Sequence, residues 1–190
     1  QPDKETFMDD YKMSSIKVGP TIADDIMKGA YFAAIFSFIG IFLYILIRFR
    51  KWQFGLGALA AVVHDMMILL SIFSIFGGFL PFSLEIDQAF IAALLTIIGY
   101  SINDTVVVFD RVREYINLHP TTDLKSNANS AIDDTLSRTL ITSFTTLLVV
   151  IILFVFGGEV IRGFSFALLI GIFVGNYSSI FIATPVAIYT

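Results

Sequence analysis

The sequence of 190 residues contains no cysteine and only two histidines, His64 and His119. The absence of cysteine excludes disulfide bonds, thiolate metal sites and cysteine nucleophiles. Two histidines so far apart in the chain are too few to predict a metal cluster. The sequence also lacks a phosphate-binding loop and the spacing of a catalytic triad. We therefore expect no enzyme activity, no metal centre and no bound cofactor.

Charged residues are scarce as well. Asp, Glu, Lys and Arg make up 15% of the chain, whereas they make up about a quarter of a typical soluble domain. Hydrophobic residues reach 56%. The first residues do not join a basic stretch to a short apolar one, so we expect no signal peptide.

The apolar residues are gathered into five blocks of roughly 17–25 residues, the length at which a helix crosses about 30 Å of hydrocarbon. The predicted spans cover about residues 30–47, 54–76, 89–109, 140–156 and 164–189. This pattern indicates an all-α integral membrane protein with five transmembrane helices.

The segments outside the spans are polar. Residues 1–20 are predicted to form an extracytoplasmic extension, with a short strand over 11–18, in front of a transmembrane domain over 21–190. Thr21 and Asp24 have the spacing of a capping box, so a helix is expected to begin near Ile22.

The longest predicted loop runs over 110–137. It contains a turn at His119–Pro120, and Ser130 with Asp133 is predicted to cap a helix that runs into the fourth span. Pro185, near the end of the last span, lacks a backbone N–H and is expected to kink the helix there.

The distribution of basic residues predicts the orientation, because positive charge is retained on the cytoplasmic side of a membrane. The loops 48–53 and 110–137 and the start of the fourth span lie on one side, whereas the loops on the other side hold only Arg162. The residues on the basic side are Arg48, Arg50, Lys51, Arg111, Arg113, Lys125 and Arg138. We expect that side to be cytoplasmic.

Asp104, preceded by Asn103, is an ionisable residue inside the third predicted span. A carboxylate within the hydrocarbon layer costs several kcal/mol unless another group compensates it, so such a residue is by default a candidate functional residue. The alternative is a structural aspartate that is buried against a neighbouring helix.

Arg138 begins the fourth span and is followed by hydroxyl residues along one helical face. Those residues are Thr139, Thr142, Ser143 and Thr146. A guanidinium at the head of a hydroxyl stripe can hold water or a carboxylate inside a bundle. An interfacial arginine that extends to the lipid headgroups explains the pattern equally well.

His64 and Asp65 lie near the middle of the second span. A proton-relay role and a hydrogen-bonded pair that holds helices together are equally good interpretations of this dipeptide. Both remain open at the level of the residues alone.

Small residues recur every four positions in the fifth span. They are Ala167, Gly171, Gly175, Ser179, Ala183 and Ala187. This spacing lets two helices approach closely, and predicts a packing face either inside the bundle or against another subunit.

Taken together, these residues resemble the SecF family of bacterial protein-export membrane proteins. The resemblance extends over nearly the whole chain from Val18 onward. It is carried by V-G-P at 18–20, H-D at 64–65, I-G-Y-S-I-N-D-T-V-V-V-F-D-R-V-R-E at 98–114, S-R-T-L-I-T-S-F-T-T-L at 137–147, F-G-G at 156–158, G-F-S at 163–165 and S-S-I-F-I-A at 178–183.

The resemblance implies half of an RND-type transporter, which has six helices and an extracytoplasmic domain between the first and second. The five spans here would be the second to the sixth, and the chain could be the end of a SecDF fusion. The implied function is to work with SecD and an ion gradient, H⁺ or Na⁺, in pulling preproteins outward after SecA and the SecYEG channel have started them.

The resemblance assigns ion coupling to Asp104 and Arg138. A supporting polar path would include Asn103, His64, Asp65, Thr142 and Thr146. The expected location is the bacterial cytoplasmic (inner) membrane, in contact with membrane lipid and without a nucleic-acid partner. The alternatives are an RND-type exporter of small molecules or lipids, and a scaffold subunit that only holds its partner through small-residue faces.

Overall fold

The computed structural model describes the backbone of residues 20–190 and the side chains of residues 28–29, 31–159 and 161–190. The predicted strand over 11–18 and the side chains of the Thr21–Asp24 capping box lie outside the described residues, as does nearly all of the predicted extension over 1–20. The chain divides into two compact units, 1–35 and 36–190, and all the residues discussed below as a site lie in the second.

From residue 20 onward the fold is entirely helical. The long helices are α1 (Pro20–Phe49), α2 (Trp52–Phe76), α3 (Gln88–Leu118), α4 (Leu124–Phe156) and α5 (Gly158–Ser178). A π-helix (Ser179–Ala183) continues α5 directly and leads into the short helix α6 (Thr184–Tyr189).

Five stretches of helix are long and apolar enough to cross a membrane, which confirms the predicted all-α membrane class. Their outward faces are apolar too: on α4, Ile141, Phe144 and Val149 are 62%, 63% and 66% exposed. Such a surface is suited to lipid, because a soluble protein rarely exposes apolar patches of this extent.

The prediction of a long loop over 110–137 is wrong. Helix α3 continues to Leu118 and α4 begins at Leu124, so only residues 119–123 lie between them. The predicted turn at His119–Pro120 is confirmed, whereas the helix start at Ser130–Asp133 is not. The charges that suggested a loop instead join the two helices, since Asp134 accepts hydrogen bonds from Arg111 and Tyr115, both at 2.6 Å.

The turn between α3 and α4 is fixed by a buried amide. Asn127, which is 3% exposed, donates to the carbonyl oxygens of His119 and Thr122 at 3.1 and 3.4 Å. These carbonyl groups lie where a helix end leaves acceptors unpaired, so the side chain supplies the missing donor. The result is a long antiparallel hairpin that places the polar residues of α3 beside those of α4.

Two apolar clusters lie at different heights in the unit formed by residues 36–190. One contains the aromatic contacts of Phe54 with Phe49 and Phe109, with ring centroids 5.1 and 4.9 Å apart. The other contains Phe73 and Phe90, with centroids 4.5 Å apart. Burial of these side chains holds the helices together at both levels.

Between the two clusters lies a layer of buried polar side chains, which we call the polar layer. Its members are Asp65, Ser101, Asp104, Thr105, Thr139, Ser143, Ser178 and Ser179. On α2, for example, Asp65 comes between Ala61 of the first cluster and Leu69 of the second. The polar layer is therefore sealed by apolar packing on either side.

Pro185, which is predicted to kink the last span, lies in α6 directly after the π-helix. Proline cannot donate to the carbonyl of the residue four positions earlier, here Phe181, and its ring would clash with it. The wider π turn lies directly before α6, and Thr184 donates its hydroxyl to the Ser179 carbonyl at 2.9 Å. Such π turns are frequent at functional sites.

Candidate functional site

Asp104 lies on α3 at the side that meets α4, and it is 8% exposed. Its Oδ1 atom accepts a hydrogen bond from the Thr139 hydroxyl at 2.8 Å. Its Oδ2 atom is buried and has no hydrogen-bond partner among the described residues. An unpaired carboxylate oxygen in a buried position is costly, and therefore marks a place where another group is expected to act.

The contact between α3 and α4 continues one turn away. Tyr100 donates its hydroxyl to Ser143 at 3.1 Å, and Ser143 donates to the Thr139 carbonyl at 2.7 Å. Because Thr139 and Ser143 are four residues apart, they lie on the same helical face. This pair of contacts fixes the rotation of α4 that presents Thr139 to Asp104.

Arg138 precedes Thr139 and is exposed. Within 4.0 Å its guanidinium forms no ion pair with an acidic side chain in the part of the chain that the structure describes. The two residues assigned to ion coupling therefore lie at the same contact between helices without a direct ion pair.

The other residues assigned to the polar path near Asp104 point elsewhere. Asn103 is exposed. Thr142 and Thr146 donate to carbonyl groups of their own helix, at 3.0 Å to Arg138 and 2.8 Å to Thr142. A threonine hydroxyl commonly makes such a bond to the preceding turn.

Exposed residues of α3 and α4 form a continuous surface beside Asp104. The helices are antiparallel and meet at Asp104–Thr139, so the residues that precede these two, Asn103 and Arg138, point to the same side of the contact. We call this surface the open face. Its members are Ala92, Thr96, Gly99 and Asn103 of α3 and Arg138, Thr142 and Thr145 of α4.

Asp65 forms a second centre in the polar layer and is 3% exposed. Its Oδ2 atom accepts hydrogen bonds from Ser101 at 2.6 Å and from Ser178 at 2.8 Å, and its Oδ1 atom lies 3.2 Å from His64 Nδ1. Three helices, α2, α3 and α5, thus meet at one carboxylate. Asp65 and His64 are brought together as the sequence suggested, but away from the Asp104–Thr139 contact.

The small residues of α5 pack inside the bundle, against α3. A Cβ atom on Gly171 would collide with the side chain of Ile97, and one on Gly175 would lie 3.2 Å from the Ser101 Cβ atom. Further along, the Ser179 hydroxyl lies 2.8 Å from that of Thr105. Of the two locations left open for this face, the structure places it within the chain.

Sequence reasoning missed Ser101, Thr105 and Ser178 as partners in the polar layer. A signal was present, because Ser101 and Thr105 are four residues apart and lie on one face of a predicted span. Buried hydroxyl groups at such a spacing indicate a polar contact between helices. No group of three or more His, Asp or Glu side chains suited to a metal ion occurs among the described residues.

The chain matches the sequence model of the family described as protein export membrane protein SecD/SecF, C-terminal, over residues 3–190. It is 60% identical over 171 residues to the protein translocase subunit SecF of Rhodothermus marinus, covering 90% of this chain and 55% of that protein. It is 45% identical over 183 residues to the protein translocase subunit SecDF of Brucella abortus, covering 96% of this chain and 23% of that protein.

The fold is also similar to a solved structure. The crystal structure of SecDF, a translocon-associated membrane protein from Thermus thermophilus, superposes with a TM-score of 0.79 at 43% identity, over 89% of this chain and 22% of that one. The chain thus spans about half the length of the SecF relative and about a quarter of the SecDF relative.

Proposed function

Because the chain belongs to the SecD/SecF C-terminal family of protein-export membrane proteins, we propose that it is the ion-coupling part of a bacterial protein translocase. In this proposal it works with a SecD-like subunit to promote the outward movement of preproteins through a SecYEG channel after the SecA motor has acted. The energy comes from an ion gradient rather than from a reaction that the chain catalyses.

The observation that carries the proposal is the buried Oδ2 atom of Asp104, which has no partner in the described part of the chain. A carboxylate in this position is stabilised when it binds a proton, or when a cation approaches it from outside the hydrogen-bonded contact between α3 and α4. Arg138 is the cation on the adjoining turn of α4, next to the residue that already binds Asp104. The two side chains can therefore form a pair that opens and closes.

One proton would choose between two arrangements of this pair. When Asp104 is ionised, its attraction for Arg138 offsets the cost of keeping both charges in the membrane. When a proton binds at Oδ2, that attraction is lost and Arg138 turns to water or to another acidic group. Two states that differ in their affinity for an ion are what a gradient needs in order to drive motion.

A proton fits the geometry better than a metal ion does. One free carboxylate oxygen is enough to bind a proton, whereas cations such as Mg²⁺ and Ca²⁺ take six or more oxygen ligands in typical sites. Among the described residues, the Thr139 hydroxyl is the one side-chain group hydrogen-bonded to Asp104. The transported ion is therefore proposed to be H⁺, with Na⁺ as the alternative to be tested.

The open face is proposed to be covered by the SecD-like subunit. Its residues on α3 are small or polar, and at Gly99 no atom of this chain lies within 4 Å of the position of a Cβ atom. Small residues let a second helix come close, and an exposed Arg138 favours a partner helix that carries an acidic side chain. SecD and SecF are fused in the Brucella abortus relative, as its name SecDF indicates.

The proposed location is the bacterial cytoplasmic membrane, with residues 48–53 and the end of the α3–α4 hairpin, including the turn over 119–123, on the cytoplasmic side. Basic residues support this orientation because they are concentrated at that end of the helices. Asp104 would then lie near the middle of α3, in the polar layer, with the apolar cluster that contains Phe109 between it and the cytoplasmic end.

The test is preprotein translocation into vesicles that contain SecYEG, SecA and the full-length protein with its SecD-like partner. A proton gradient and a sodium gradient are imposed in separate experiments. Asp104→Asn should abolish the stimulation by the gradient while insertion and partner binding persist. Arg138→Lys should lose part of it, because lysine keeps the charge without the planar fork of donors.

Asp87→Asn is the matched control, since Asp87 is an exposed aspartate that caps the N-terminal end of α3. It should leave the stimulation unchanged. Full gradient-dependent stimulation in the Asp104→Asn protein would instead favour a scaffold subunit, in which Asp104 has only a structural role.

A further inference from the structure

Asp65 is a buried carboxylate that the mechanism proposed for Asp104 does not use. It is 3% exposed and lies between the two apolar clusters. Its contact with a basic side chain within 4.0 Å among the described residues is with His64, whose Nδ1 atom lies 3.2 Å from Oδ1. A carboxylate in such a position is expensive to keep unless its surroundings are arranged for it.

The hydrogen bonds at Asp65 satisfy its ionised form. Ser101 and Ser178 donate to Oδ2, while His64 Nδ1 lies 3.2 Å from Oδ1. A carboxylate that accepts two or three hydrogen bonds is stabilised in the charged state. The donors come from three different helices, so this arrangement depends on the whole unit being folded.

The same atoms also satisfy the protonated form. The Ser178 hydroxyl lies 2.8 Å from Asp65 Oδ2 and 3.1 Å from the Gly175 carbonyl oxygen. A hydroxyl has one proton to donate but can also accept. Ser178 can therefore donate to the carboxylate in one state, and in the other accept from the carboxylic acid while it donates to Gly175.

We propose that Asp65 is a second proton-binding site within the membrane, and that Ser178 is the hydroxyl that changes partner when the proton arrives. The proton is taken from water and forms an O–H bond on Oδ2. The new O–H donates to Ser178 Oγ, and the Ser178 hydrogen turns to the Gly175 carbonyl. Asp65 Oδ2 and the Ser178 hydroxyl therefore each keep a partner in both states, at a carbonyl group that also accepts from Ser179.

His64 is the route by which the proton reaches Asp65. It is partly exposed and lines a surface groove of about 800 Å³ along α2, between the apolar side chains of Val63 and Met67. The titratable groups around Asp65 are His64 on its own helix, Tyr177 on α5 with its ring 6.0 Å from that of His64, and Asp104, one turn beyond Ser101 on α3.

The change of partner occurs at a junction in the helix. Ser178 is the last residue of α5, and the π-helix begins at Ser179, whose hydroxyl contacts Thr105 on α3. A rearrangement at this junction is transmitted to α3, the helix that carries Asp104. The inference rests on the proposed function only in that a membrane ion gradient supplies the proton.

The test is infrared difference spectroscopy on the full-length protein with its partner subunit in lipid nanodiscs, titrated with acid. The C=O stretch of a protonated carboxylic acid is followed. Asp65→Asn should remove one carboxylic-acid band, and Asp104→Asn should remove another. Ser178→Ala should shift the frequency of the Asp65 band, since the acid loses its acceptor.

Ser165→Ala is the matched control for Ser178→Ala. Ser165 is also buried on α5, but its hydroxyl donates to the Ile161 carbonyl of its own helix. The Asp65 band should keep its frequency in this variant. If Asp65→Asn does not insert into the membrane, the comparison of Ser178→Ala with Ser165→Ala decides, because both variants keep the carboxylate.

The proposal is overturned if Asp65→Asn has the same carboxylic-acid bands as the parent protein, or if Ser178→Ala and Ser165→Ala give the same spectrum. The spectra do not depend on export. Loss of gradient-driven translocation in Asp104→Asn together with an unaltered spectrum in Asp65→Asn would overturn this inference and leave the proposed function standing. The reverse pair of results would overturn the proposed function alone.

Discussion

Asp65 and Asp104 lie in the same polar layer, but this chain satisfies one of them and not the other. Asp65 has three hydrogen-bonding neighbours on three helical elements. Asp104 has one, and its second oxygen is buried without a partner in the described residues. Burial alone therefore does not separate the two acids. The unpaired oxygen atom of Asp104 does.

The difference follows from where the two residues lie on the helices. Asp65 is enclosed between α3 and α5, which approach closely where Gly175 lies against Ser101. Asp104 lies at the contact of α3 with α4, beside the open face. The exposed side chain of Arg138, or a group of a partner subunit, can approach Asp104, whereas Asp65 is enclosed by groups of this chain.

The largest effect that distinguishes the two acids is expected in stability. Asp65→Leu removes the acceptor for hydroxyl groups on α3 and α5, and should lower the free energy of unfolding by roughly 2–3 kcal/mol, since hydrogen bonds between membrane helices contribute from about 0.6 to 1.7 kcal/mol each. Asp104→Leu removes one such bond and should cost about 1 kcal/mol or less. Unfolding in mixed detergent micelles measures both.

An equal loss of stability in the two variants would break the comparison, because it would mean that Asp104 is held as firmly as Asp65. Thermal unfolding of the purified proteins in nanodiscs provides an independent check. Ser165→Ala is again the control, because it removes a hydroxyl that bonds only its own helix.

The second comparison concerns two glycines, of which one packs inside the bundle and the other lies on the open face. Gly171→Leu inserts a side chain where even a Cβ atom would collide with Ile97, and overpacking of this kind costs about 1–3 kcal/mol of unfolding free energy. Gly99→Leu adds bulk where no atom of this chain lies within 4 Å. It should leave the stability of the chain unchanged and weaken binding of the SecD-like subunit at the open face.

Unfolding measurements on each variant and co-purification with the partner separate these effects. If Gly99→Leu binds the partner as well as the parent protein does, the open face is covered by lipid and not by the subunit.

A smaller effect is expected at the single donor to Asp104. Thr139→Val keeps the shape of the side chain but removes the hydroxyl that donates to Asp104 Oδ1. This loss should lower the free energy of unfolding by about 1 kcal/mol. Gradient-stimulated translocation should fall several-fold, because Asp104 is no longer held toward α4. Thr145→Val is the control, since Thr145 is exposed and donates to carbonyl groups of its own helix. Equal stimulation in the two variants would show that Thr139 does not position Asp104.

Hydropathy was enough to predict the five membrane helices and to single out Asp104, because both depend on local composition. It failed over 110–137, where charge suggested a loop. The charged residues there are paired across a helical hairpin, as in the contacts of Asp134 with Arg111 and Tyr115. A run of charged residues looks the same in the sequence whether it forms a solvated loop or a helix surface that is paired with another helix. The two cases differ only once both helices of the hairpin are considered.

The partners of Asp65 could not be predicted for a different reason. Ser178 is 113 positions away along the chain, and Ser101 is 36 positions away. The four-residue spacing of small residues predicted that the last span packs closely on another helix, but not on which one. Only the arrangement of the helices decides which hydroxyl groups face the carboxylate.

The most direct measurement concerns the separation of Asp104 and Arg138 in the two states. Solid-state NMR of the full-length protein in bilayers can measure the distance from the Asp104 carboxyl carbon to the Arg138 guanidinium nitrogens, with Asp104→Asn used to assign the signal. We expect an ion pair within about 4 Å at a pH that ionises Asp104, and its loss when the carboxylate is protonated. The same separation in both states would contradict it, because no proton would then be moving Arg138.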